Sequence, residues 1–76
     1  MIKWKMVMSL SMADKHILVY RSTYMRKGVQ AEKETPLNPD TGEFGKAKIT
    51  FYIDGDDRKF NSEQEIVEAI RKGGGE

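Results

Sequence analysis

Residues 46–72 constrain this chain more than any other stretch, because they read as strand, tight turn, return strand and helix in direct succession. Side chains along a strand alternate between its two faces. Ala47, Ile49, Phe51 and Ile53 therefore share one face, and Lys46, Lys48, Thr50 and Tyr52 share the other. That alternation marks a strand with one side buried. Asp54-Gly55-Asp56-Asp57 follows, where Gly55 takes positive φ cheaply and the aspartates tolerate turn geometry. The chain is expected to reverse there and return as a short fifth strand, Arg58-Lys59-Phe60, with Phe60 on the apolar side.

A helix comes next. Ser62 stands three residues before Glu65, the spacing of a capping box, with Asn61 as a rival N-cap. Glu63 and Glu65 place negative charge at the positive end of the helix dipole, and Arg71 and Lys72 place positive charge at the other end. Ile66, Val67, Ala69 and Ile70 make the apolar stripe. Gly73-Gly74-Gly75 is expected to end the helix, giving one domain over residues 1–72 and a flexible tail over residues 73–76. So short a helix is marginal alone. It is expected to lie on the sheet, with Ile66 and Ile70 over Ile49, Phe51 and Phe60.

Upstream, residues 2–8 alternate, with Ile2, Trp4, Met6 and Met8 on one face and Lys3, Lys5 and Val7 on the other. They read as a first strand in preference to an extension ahead of Met12. Residues 9–15 read as a connection. Residues 16–21 are apolar on both faces, which suggests a central strand or one covered by a partner, running on toward Met25. Lys27-Gly28 is the expected reversal, and residues 29–35 read as an exposed, mainly polar strand. Pro39, Asp40 and Gly42 mark a turn within residues 36–43. The expected fold is α+β: an antiparallel sheet of four to five strands with one C-terminal helix packed on one face, in the order β-β-β-β-β-α.

Seventy-six residues make a single domain of modest stability unless it associates with something. Cysteine is absent, which removes disulfides and thiolate metal sites and suits a reducing, cytoplasmic setting. No apolar run is long enough for a membrane span. Lys3, Lys5, Asp14 and Lys15 break up the N-terminal region, so no signal peptide is expected. The net charge of +1 is unevenly placed: residues 1–30 hold six Lys/Arg and one acid, whereas residues 31–76 hold seven Lys/Arg and eleven acids. Such a split either marks a basic binding face or is neutralised across the fold.

Catalytic chemistry finds little support. His16, the one histidine, has no nucleophile beside it in sequence and reads as a surface or edge residue. Asp54, Asp56 and Asp57 begin like a calcium loop, but the sixth position is Lys59 where such a loop needs glycine. The glycine run follows a helix, so it is no phosphate loop. No enzyme activity, cofactor or metal is therefore expected. The candidate binding residues are Lys3, Trp4, Lys5, His16, Tyr20, Arg21, Tyr24, Arg26 and Lys27. Basic groups neutralise phosphates and aromatic faces stack on bases, which is how sheets bind single strands. In the plainer reading Trp4 and Tyr20 are core or rim residues and the lysines keep an edge strand soluble.

In outline, a three-stranded meander and a helix led in by Phe60-Asn61-Ser62 resembles the arm-type DNA-binding domain of phage integrases. Four strands, a Pro39-Asp40-Thr41-Gly42 loop and a C-terminal helix are similar to single-strand-binding transcriptional coactivators. The size, with a strand-rich start ending near Ile17-Leu18-Val19-Tyr20, resembles small phage anti-CRISPR proteins. No residue role is carried over from these families. The function expected is a small non-enzymatic binding module: a protein-interaction regulator or inhibitor of phage or mobile-element type, with a protein partner or a second copy as a homodimer. The alternative is a sheet-face binder of single-stranded DNA or RNA using the basic, aromatic N-terminal half.

Overall fold

The computed structural model describes residues 2–74. Four strands form one antiparallel sheet in chain order: β1 (Lys5–Ser11), β2 (Lys15–Tyr24), β3 (Lys27–Pro36) and β4 (Lys48–Ile53). One helix, α1 (Glu63–Gly74), follows. Among the described residues the class is α+β and the sheet has four strands. The expected fifth strand is reduced to one bridge, in which Phe51 and Phe60 exchange two backbone hydrogen bonds of 2.9 Å. Local bonds replace the rest of that ladder. Asp56 N–H donates to the Ile53 carbonyl, and Arg58 N–H donates to the Asp56 carboxylate.

β2 and β3 pair over their full length of ten residues each. Their turn is Met25-Arg26, both in the left-handed region with φ of 49° and 66°. A two-residue turn with two positive φ values matches the natural strand twist, although Asn and Gly adopt it more cheaply. The reversal therefore comes two residues before the expected Lys27-Gly28. Gly28 lies inside β3 opposite Thr23, where a Cβ would collide with the Asp54 carboxylate. The glycine serves a close approach, not a turn.

β3 is an interior strand, flanked by β2 and β4, not an exposed one. Val29 and Ala31 on its helix side are buried. Its polar reading came from Gln30, Glu32 and Glu34, which all point to the opposite face. β1 starts later and runs further than expected, and the connection shrinks to residues 12–14, closed by Met12 N–H donating to the Lys15 carbonyl at 2.8 Å. A bulge between Met6 and Met8 shifts the register by one residue. Met6 stays level with Tyr20, but Met8 pairs with Val19 on the other face, so the expected single apolar row is split.

The core sits at one end of the sheet. Ile66 and Ile70 of α1 pack with Ile2, Val29, Ile53 and Phe60. The helix begins as a near capping box: Glu65 N–H donates to Ser62 Oγ at 3.2 Å, while Glu65 Oε1 accepts from the backbone N–H of Asn61, one residue earlier than the usual pattern. It runs to Gly74, past the expected stop at Gly73, and Gly75 and Glu76 of the expected tail lie outside the described residues. The molecule measures 52 × 21 × 19 Å. Twelve helical residues span only about 18 Å, so α1 cannot reach along the sheet. Ile49, expected under the helix, is instead exposed.

Candidate interaction surface

Strand register sorts the side chains into two faces. The helix side carries His16, Leu18, Tyr20 and Tyr24 of β2, Val29, Ala31 and Lys33 of β3, and Ile49, Phe51 and Ile53 of β4. The open side carries Lys15, Ile17, Val19 and Arg21, with Glu32 and Glu34 beside them and Met8 and Leu10 on β1. Among the described residues, α1 and the segment at Ile2 and Trp4 cover one end of the helix side, and the exposed apolar residues Met8, Leu10 and Ile49 lie beyond them.

The nine expected binding residues do not form one surface. Trp4, His16, Tyr20 and Tyr24 lie on the helix side, with Lys27 opposite Tyr24. Lys5 pairs with Arg21 on the open side. Arg26 sits in the β2–β3 turn, and Lys3 precedes β1, where its carbonyl accepts a hydrogen bond from Ser22 Oγ. His16 belongs to an interior strand, not an edge, and its Nε2 lies 3.2 Å from Ser9 Oγ.

Two of these residues have structural work. Trp4 Nε1–H donates to Glu63 Oε1 at 2.7 Å, and its ring lies 5.8 Å from that of Phe51, tilted by 49°. The first segment is thereby tied to the first turn of α1. The Arg21 guanidinium holds both Asp54 carboxylate oxygens, at 2.7 and 3.2 Å, and donates to Gln30 Oε1. That hydrogen bonding to Asp54 raises the Arg21 pKa above its ordinary value. Asp54 and Asp56, two carboxylates of the calcium-like run, are thus each paired with a guanidinium.

What the helix side does assemble is a shallow hollow of about 300 Å³ beside α1. Trp4 and Tyr20 line it as expected residues, joined by Ala31, Lys33, Ile49 and Phe51. The last four were missed. The pattern of the sequence points Ile49 and Phe51 to the helix contact and Lys33 to an exposed strand. On the open side, partial burial raises the Tyr52 pKa, and the negative charge of Glu32 and Glu34 raises it further. That acidic stretch is unsuited to phosphate.

At the Asp54–Phe60 turn, the Arg58 side chain hydrogen-bonds to Asp56 at 2.6 Å and its guanidinium lies 5.2 Å from the Phe60 ring centre. Hydrogen bonds from Arg58, first from its side chain and then from its backbone, pull the Asp56 pKa from 3.8 down to about 2. A depressed carboxylate pKa stabilises the fold above the unfolded value and loses that contribution as pH falls through the folded value. The Asp56 contribution is therefore expected to fade between about pH 4 and pH 2. Arg58→Ala should return the Asp56 carboxyl titration, followed by NMR, toward 3.8. An unmoved midpoint would show that the ion pair is absent in solution.

Among the described residues, no group of three or more His, Cys, Asp or Glu is placed to hold a metal ion. No helix there is long and apolar enough to cross a membrane. Comparison with protein families, curated proteins and solved structures gives no match to this chain.

Proposed function

We propose that the chain is a small, non-enzymatic, cytoplasmic binding module whose partner is another protein, of the size of phage and mobile-element regulators and inhibitors. One observation carries the reading: the sheet extends far beyond its single helix and leaves large apolar side chains uncovered. Met6, Val7, Met8 and Leu10 are each between 45% and 54% exposed on a single edge strand. Met8 and Leu10 lie together on the open side and Met6 on the other, and exposed apolar surface of this kind marks interaction sites in small proteins. Methionine side chains adapt their shape to a partner surface. A second copy of the chain is the economical partner, as a symmetric dimer. Capture of a partner by tagged protein, undiminished by nuclease, is the expected result, and loss of all capture on nuclease treatment would count against the reading.

A second reading has one specific observation in its favour. Trp4, Tyr20 and Phe51 line one hollow with Lys33, a combination that could stack a base beside a phosphate contact. Oligonucleotide anisotropy separates the two. The protein-binding reading expects no retention of a mixed single-stranded oligomer even at about 50 mM salt, where phosphate contacts are strong. Tight binding that weakens steeply with salt and with Lys33→Glu would transfer the assignment to nucleic acid.

A further inference from the structure

We infer that the free edge of β1 pairs antiparallel with the same edge of a second copy, Ser9 against Ser9 across a two-fold axis, fusing two four-stranded sheets into one. The inference rests on the reading of the chain as a protein-binding module and specifies which surface meets which partner.

The two edges of the sheet differ. The outer edge of β4 is partly closed by the bridge from Phe51 to Phe60. That of β1 is open, and all seven residues of the strand are exposed. Monomeric proteins guard such edges with charges, prolines or bulges. β1 has one charged residue, Lys5, and one bulge, before Met8, both in its first half. From Met8 to Ser11 nothing deters another strand.

The hydrogen-bond pattern sets the register. Met12 N–H donates to the Lys15 carbonyl. In an antiparallel ladder, residues that bond inward alternate with residues whose N–H and C=O point outward. Leu10 and Met8 therefore bond toward β2, and Ser9 and Ser11 present their backbone groups to the free edge. A two-fold axis through Ser9 pairs its N–H and C=O reciprocally with those of Ser9 in the other copy and sets Ser11 opposite Val7 at the bulge. It also sets Met8 of each copy opposite Leu10 of the other on the open side, alongside Ile17 and Val19. The charges agree with this direction. Antiparallel pairing brings Lys5 of one copy toward the hairpin turn of the other, which holds Asp14, whereas parallel pairing would stack lysine on lysine.

The chain has no cysteine, so a single introduced thiol reports its neighbour cleanly. Cα atoms across a hydrogen-bonded antiparallel pair lie about 5.5 Å apart, within the span of a disulfide. Under mild oxidation Ser9→Cys should give a cross-linked dimer in high yield, whereas Glu68→Cys, exposed on α1, should not. Ser9→Pro removes only an outward N–H. It should keep the circular dichroism of the fold while sedimenting as a monomer, whereas Leu10→Pro, which breaks the β1–β2 ladder, should lose folded signal. Three results would overturn the inference: a wild-type monomer at high micromolar concentration, a dimer unaffected by Ser9→Pro, or equal cross-linking at Ser9 and Glu68. A monomer that still captures a nuclease-resistant partner would overturn the self-pairing alone and leave the binding-module reading in place.

Discussion

Ile66→Ala is expected to lower folding stability by about 2–5 kcal/mol, the range for truncating a buried isoleucine. Ile66 is 0% exposed and sits among Val29, Ile53, Phe60 and Ile70, so the cavity has little room to collapse. A loss of this size is a large part of the roughly 5–15 kcal/mol that holds typical domains together, and small domains fall toward the low end. The denaturant midpoint should drop steeply or the cooperative transition should vanish. Ile49→Ala supplies the contrast. Ile49 is 45% exposed and beyond the helix, so its truncation should be mild. Equal losses at the two positions would mean that α1 covers β4 further along than described.

Val29→Asp is expected to abolish folding altogether. Val29 is 0% exposed, and its neighbours in the core are apolar. A carboxylate there would lose its hydration with nothing to replace it, a penalty of several kcal/mol even if the group protonates. Circular dichroism should show an unfolded chain at neutral pH. Glu34→Gln on the same strand faces outward from the sheet and should leave the spectrum unchanged. A folded Val29→Asp protein would return β3 to the exposed position that its polar residues suggest.

That contrast shows where the sequence was informative. The α1 stripe, its Ser62 cap and the alternation of residues 48–53 are local patterns, and local physics determines them. Phe60 was placed correctly on the apolar side because a short reversal at Gly55 leaves few alternatives. The position of β3 between β2 and β4 is a non-local fact. A strand whose apolar inner-face residues are only Val29 and Ala31, beside Lys33, looks peripheral until its neighbours are known. The bulge before Met8 has no marker residue, yet one inserted position moves Met8 to the face opposite Met6. The Met25-Arg26 turn carries neither Asn nor Gly, so the nearby Gly28 drew the reversal toward itself. The candidate surface suffered most. Being basic or aromatic says nothing about side, and the nine candidates are divided between two faces of the sheet, a turn and the segment before β1.

The 52 Å length of the molecule has a consequence for how the chain can change. Residues that hold the fold cluster at one end, and the apolar side chains of β1 occupy a different region. Substitutions at well-separated sites add their effects nearly independently. The outer rows of β1 can therefore vary without drawing on the stability supplied by Ile66, Ile70 and Phe60. In a more compact domain of this size, most recognition residues would also be core residues, and each change of specificity would risk the fold. Here the core and the exposed apolar strand are separated along one axis, and the strand pairing between them is carried by backbone groups that almost any side chain leaves intact.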